Sequence, residues 1–218
     1  MRTYVVIGLG RFGTAVATEL CRLGHEVLAI DESEDRVQSI SSQVTHAVAG
    51  DARDPGVLRA LGVRNYNCAI VAVADDVGNS ALITMNLKEL GVRQVIAKAQ
   101  SHVHQKVLQK IGADKVVFPE HEMGMKLAQN LSSSNILNFI ELSDDFGIVE
   151  LAVPKAWVGQ SLRGLDVRAK YRVNIIAIRR GGDEHDLEVA PGADYVLAAG
   201  DVVVTLGRNE YIDRLHDL

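Results

Sequence analysis

Val5-Val6-Ile7-Gly8-Leu9-Gly10-Arg11-Phe12-Gly13 constrains this chain more than any other stretch. An apolar run short enough for a buried strand meets Gly-x-Gly-x-x-Gly, and Thr14-Ala15-Val16-Ala17-Thr18-Glu19-Leu20 then reads as a helix with small residues on its first turn. In such a strand–turn–helix unit the first glycine permits the tight bend, the second lets backbone approach a pyrophosphate, and the third lets the helix lie close on the sheet. The helix N-terminus is left aimed at an anion, so the stretch predicts a bound nucleotide. Gly8, Gly10 and Gly13 carry these three roles, with Phe12 in the same turn.

An acid stands where this unit needs one. His25 to Ile30 reads as a second buried strand, and Asp31 ends it about 20 residues past the glycines, where a carboxylate meets ribose hydroxyls. A carboxylate there disfavours a 2′-phosphate, so NADP is set aside while NAD, ATP and ADP stay open. Arg11 brings a guanidinium to the mouth of the phosphate site, which suits a ligand carrying more charge than a dinucleotide pyrophosphate; the alternative is an exposed arginine in an exposed loop.

The rest of the first 120 residues repeats the alternation. Ser33, Asp54-Pro55 and Ser101 are helix-start signals, and Gly62, Gly91 and Gly112 are stops. Between them Thr45 to Asp51, Tyr66 to Ala74, Val92 to Ala99 and Lys115 to Phe118 complete six strands. The run at Cys68 to Ala74 is continuously apolar, as in a central strand covered on both faces. The expected fold is a Rossmann-like, doubly wound parallel sheet. Ligands bind outside the carboxyl ends of such strands, which gathers Gly8 to Gly13, Asp31, Asp51 with Ala52, and the turn from Asp75 to Ser80 around one crevice. Asp51 is either an acceptor for an adenine amino group or an ordinary turn aspartate.

Met123, Leu127 and Leu131 form an apolar seam on a helix beyond the completed sheet, and a second subunit is the simplest cover. The polar stretch Ser132 to Asn135 sets the expected boundary: residues 1–134 form the first domain and 135–218 the second, with Ile136 to Leu142 crossing into it. There, short strands at Ile148 to Val153, Val173 to Ile178, Leu187 to Ala190 and Val202 to Leu206, with helical pieces near Leu162 to Leu165 and Asn209 to Leu215, predict a small C-terminal α+β domain.

Charge and composition remove several classes. The net charge is −5 without a lysine or arginine block, which argues against nucleic-acid binding. No apolar run approaches the ~20 residues that span a bilayer, and the N-terminus enters the first strand directly, so a soluble chain without a signal peptide or membrane insertion is expected. Cys21 and Cys68, both in apolar company, are expected to be reduced core residues. A dehydrogenase needs a proton donor and a substrate clamp over the nicotinamide, and the second domain offers no nucleophile elbow and only two histidines, one in a turn and one at the chain end. His102 and His104 do not share a helix face. Glu120-His121-Glu122 is the better metal candidate, though it needs ligands from elsewhere.

Several stretches carry a family resemblance: Ile7 to Gly13, Gly24 to Asp31, Lys98-Ala99-Gln100, Lys110 to Lys115, and Val167 to Tyr171. Together they resemble the KtrA-type RCK (regulator of K+ conductance) family, over the whole chain, with a second lobe of the TrkA-C type. The resemblance implies a non-enzymatic cytoplasmic subunit, peripheral to the inner face of the membrane. Homodimers would assemble into an octameric ring under a KtrB-type potassium channel subunit, with ATP favouring the conducting ring and ADP the inactive one. It further implies that Arg11 reaches a γ-phosphate, Asp31 and Ser33 the ribose, and Lys98 the phosphates, while Glu120 helps hold Mg²⁺ or Ca²⁺ at the dimer interface. Arg168, Asn174 and Pro191 fall where the second lobe of relatives contacts cyclic di-AMP. Ser33 and Asp51 depart from the side chains seen in some relatives, which affects the ribose and adenine contacts. The rival readings are an NAD-dependent oxidoreductase and a free-standing NADH sensor.

Overall fold

The computed structural model describes residues 1–73, 76–132, 136–143, 145–183 and 185–217; Asp75 and the expected boundary near Ser134 lie outside the described residues. The chain divides into two compact units, Met1–His121 and Glu122–Leu218.

The first unit alternates strand and helix: β1 (Thr3–Ile7), α1 (Arg11–Arg22), β2 (Glu26–Asp31), α2 (Glu34–Ile40), β3 (His46–Ala49), α3 (Pro55–Ala60), β4 (Cys68–Val71), α4 (Val77–Glu89), β5 (Val95–Lys98), α5 (His102–Lys110) and β6 (Lys115–Val117). The strands form one parallel sheet in the order β3-β2-β1-β4-β5-β6. The order reverses between β1 and β4, and that reversal opens a crevice at the carboxyl ends of the strands. Successive side chains of a strand face opposite sides of the sheet. Val5 and Ile7 therefore join one core with Leu28, Ile30, Leu58, Leu87 and Leu108, while Val6 joins a second with Val27, Ala29, Ala17 and Ile40. Burial on both faces is why these strands are continuously apolar rather than alternating.

The helix starts are fixed by side chains. Ser33 accepts the Arg36 N–H, Asp54 the Gly56 N–H ahead of Pro55, and Ser101 the His104 N–H. Cys68 is buried, and burial pushes its thiol up to about 11. Cys21 is half-buried rather than fully buried: it packs against the second core beside Val16 and Leu20, with Sγ 3.7 Å from the Thr45 hydroxyl.

The second unit takes over within α6 (Pro119–Ser132), on which Met123, Met125, Leu127 and Leu131 are exposed. Its strands are β7 (Ile136–Glu141), β8 (Phe146–Ala152), β9 (Val173–Arg179), β10 (Leu187–Val189) and β11 (Val202–Arg208), with short helices α7 (Leu162–Leu165), α8 (Val167–Tyr171) and α9 (Asn209–Ile212). They form an antiparallel sheet in the order β10-β9-β11-β8-β7 over a core of Val149, Leu151, Trp157, Ile178, Val203 and Leu215. The stretch expected to cross into this unit, Ile136 to Leu142, is instead its edge strand, paired with β8 from Ile136 to Glu141. The overall class is the expected one, a Rossmann-like doubly wound sheet followed by a small α+β domain. Among the described residues no helix is long and apolar enough to cross a membrane.

Candidate functional site

A cavity of about 510 Å³ occupies the crevice of the first unit, a volume within the range of small-molecule sites. Its floor is the glycine turn. Gly8 has φ +92°, and a Cβ there would lie 2.8 Å from Val73 Cγ2, so only glycine fits. Gly13 stands behind the cavity wall: its missing Cβ would fall 1.9 Å from the Gly8 carbonyl oxygen, which is what lets α1 sit tightly against the turn. The N-terminal N–H groups of α1 lack helical partners by geometry and face this end of the crevice.

Two chains of charged groups line the walls. At the end of β2, Asp31 is 5% exposed; its Oδ2 accepts the Leu9 N–H at 2.6 Å and its Oδ1 the Ser33 N–H at 2.9 Å, with the Arg36 guanidinium at 3.5 Å. The carboxylate thus ties the glycine turn to the start of α2 while keeping lone pairs for a further donor. Beside it, Arg53 donates through Nε to Asp51 Oδ1 and through Nη2 to Oδ2, both at 2.8 Å, and reaches Glu32 at 3.5 Å. The Arg53 side-chain and backbone hydrogen bonds hold the Asp51 carboxyl below the usual carboxylate range. Asp51 is therefore a strongly paired turn residue, and Arg53 is the side chain it presents at the rim.

The second chain lies beside the N-terminus of α1. Lys98, the last residue of β5, donates from Nζ to Glu120 Oε1 at 2.6 Å and stands 5.7 Å from the Phe12 ring centre. The hydrogen bond from Lys98, aided by the nearby charges of Lys98 and Arg11, holds the Glu120 carboxyl below the usual range. The Arg11 guanidinium makes no hydrogen bond or ion pair to any described residue. It is the uncommitted cation at the glycine turn.

The crevice brings together Gly8, Gly10, Arg11, Phe12, Asp31, Asp51, Ala52, Lys98 and Glu120. Ser33 sits just outside the lining, as the cap of α2. Arg168, Asn174 and Pro191 belong to the second unit: Arg168 is exposed on α8, Asn174 is exposed at the start of β9, and Pro191 follows Ala190, a non-glycine residue at φ +54°. Among the described residues no three His, Cys, Asp or Glu side chains stand together as a metal site. His102 packs edge-on against His121 and Phe118, while His104 is fully buried on the other side of α5.

This arrangement was compared with known proteins. Residues 4–119 match the TrkA-N domain and residues 147–218 the TrkA-C domain. The chain is 42% identical over 216 residues to Ktr system potassium uptake protein A of Bacillus subtilis, covering 99% of this chain and 96% of that one. It is also 42% identical over 213 residues to protein C of the same organism, covering 98% and 95%. The chain belongs to the Ktr/TrkA family. In fold, it is similar to the GsuK channel bound to NAD, with a TM-score of 0.67 at 20% identity over 98% of this chain and 38% of that polypeptide. Within this Ktr/TrkA chain, sequence reasoning passed over Arg36, Arg53 and Gln100, all of which line the crevice. Arg53 carried a readable signal, since it lies two residues from Asp51 beyond a strand end. Arg36 and Gln100 enter only because the first turn of α2 and the link from β5 to α5 meet at the same crevice.

Proposed function

We propose that this chain is the nucleotide-sensing regulatory subunit of a bacterial potassium-uptake system, with ATP and ADP as the ligands of its crevice. The observation that carries this is the uncommitted Arg11 guanidinium beside the glycine turn, at the end of the cavity opposite the Asp31 and Asp51 pairs. A helix N-terminus seats the inner phosphates, and Arg11 meets the terminal one. Asp31 keeps acceptor capacity for ribose hydroxyls, next to Ser33. Homology to the Ktr uptake proteins supports a membrane channel partner.

Glu120 suits a hard divalent cation: it is a carboxylate, 61% exposed on its side chain, at the phosphate end. As a lone protein ligand it matches Mg²⁺ or Ca²⁺ completed by phosphate oxygens, waters and a second subunit. The exposed apolar face of α6 supports pairing of two copies. Four such pairs would make the octameric ring of this reading. Cyclic di-AMP is proposed for the second unit, at Arg168, Asn174 and Pro191. NAD(H) is the competing crevice ligand.

The function is that of a switch rather than a catalyst. Swinging a two-state ring from ~1% to ~99% needs about 5.5 kcal/mol of differential binding, or about 0.7 kcal/mol at each of eight sites. Arg11→Ala tests the reading by calorimetry. Loss of a charge-assisted bond to the terminal phosphate should weaken ATP by about ten-fold or more and ADP by far less. Equal losses for both nucleotides would remove Arg11 from the terminal phosphate.

A further inference from the structure

We propose that His102 and His121 form a two-imidazole site for a divalent transition-metal ion of the zinc class. Neither residue lines the nucleotide crevice, and the site does not depend on what that crevice binds.

The stretch Glu120-His121-Glu122 divides between two neighbours. Glu120 turns to Lys98, 2.6 Å away, whereas the His121 ring stands against His102, the first residue of α5. The two ring centres are 5.0 Å apart, with their planes at 78°. A Zn–N bond of about 2.1 Å puts an imidazole centre about 3.2 Å from the metal, so two rings that meet an ion at the tetrahedral angle stand about 5.2 Å apart. The ring centres already have that spacing. Both side chains are exposed, so rotation about their own bonds is all that is needed to aim a nitrogen of each at one point.

Phe118, just beyond β6, backs the pair. Its ring stacks on His121 at 5.1 Å and 22°, and meets His102 edge-on at 5.8 Å. This apolar wall limits where the two rings can go and leaves the opposite side open to an entering ion. Among the described residues neither imidazole takes part in a hydrogen bond or an ion pair, so the ring nitrogens are available as ligands. Imidazole nitrogen suits zinc, copper and nickel, while magnesium and calcium take oxygen ligands. The pair therefore selects a different class of ion from a lone carboxylate such as Glu120. Water completes the coordination of an ion held by two protein ligands at an exposed site. Bound there, the ion ties the first turn of α5 to the first turn of α6.

Zinc titration of the full-length, tag-free chain against a chromophoric chelator, without nucleotide, tests the site. Wild type should bind one zinc per chain with micromolar affinity, and excess Mg²⁺ should not displace it. His102→Ala and His121→Ala should each weaken zinc by about ten-fold or more, since losing a ligand costs at least as much as losing its outer-shell support. Because both residues are exposed, each variant should keep the wild-type circular dichroism. His46→Ala, at an exposed position on β3, should leave zinc binding unchanged. Zinc affinity that survives both substitutions, that falls as far in H46A, or that is absent from wild type would overturn the site. None of these results bears on the nucleotide reading.

Discussion

Replacing Asp31 by Asn removes one charge and one acceptor from the most connected carboxylate in the crevice. Its two oxygens now accept the Leu9 N–H at 2.6 Å and the Ser33 N–H at 2.9 Å, in a side chain that is 5% exposed. Asparagine keeps a single carbonyl oxygen. Whichever donor it satisfies, its NH₂ group then faces the other, leaving that N–H without a partner in a buried site. The surviving bond also loses its ionic character. A hydrogen bond to a charged group contributes about 1.5–3 kcal/mol and an orphaned buried donor costs about 1–3 kcal/mol, so a net loss of about 2–4 kcal/mol is expected. Arg36, at 3.5 Å and more than half exposed, adds little.

The assay is urea unfolding followed by two probes. Trp157 is the only tryptophan, and it is buried in the second unit against Tyr171, so its fluorescence reports that unit. Far-UV circular dichroism is dominated by the longer helices of the first unit. With a slope of about 2 kcal/mol/M, the dichroism midpoint should fall by about 1–2 M while the fluorescence midpoint stays in place. A dichroism midpoint within about 0.3 M of wild type, on the same slope, would refute the assignment of Asp31 as the tie between turn and helix.

Two further perturbations follow from the same unit. Gly13→Ala places a methyl group against the Gly8 carbonyl oxygen, so α1 must retreat; a loss of about 1–3 kcal/mol in the dichroism transition and a marked weakening of any phosphate ligand are expected, and near-wild-type values for both would contradict the packing argument. His104 is fully buried, its Nδ1 accepts the Gln100 N–H, its Nε2 has no hydrogen-bond partner among the described residues, and burial lowers its pKa. The unfolded chain therefore binds a proton more readily than the folded one, so stability is complete above the ordinary histidine value of about 6.5 and is lost as pH falls below it. His104→Leu should flatten that slope between about pH 7 and 5; an unchanged slope would assign it to other groups.

The sequence carried most of the first unit because its signals are local. The glycine turn, the continuous apolar strands and the caps at Ser33, Asp54 and Ser101 each depend on residues within a few positions, and each is where the spacing places it. The second unit was less legible at β7. Leu137 and Ile140 remain about half exposed, so no buried face imposes an alternation, and the stretch becomes a strand only through its ladder with β8. Cys21 lies at the edge of the core rather than inside it, because apolar neighbours in sequence do not say how completely a helix flank is covered. At the site, the glycines and Asp31 were legible from a motif with a mechanism. The commitment of Asp51 to Arg53 and of Lys98 to Glu120 was not. The second pair joins residues 22 positions apart, on β5 and α6, and only the sheet order brings them together.

The central claim is that the crevice reads the terminal phosphate of an adenine nucleotide. Calorimetric titration of the full chain with ATP, ADP, NADH and cyclic di-AMP, each with EDTA and with Mg²⁺ or Ca²⁺, tests it most directly. The account predicts micromolar binding of both ATP and ADP, with a divalent cation strengthening ATP more than ADP. Tight binding of NADH together with no heat from either ATP or ADP would contradict it.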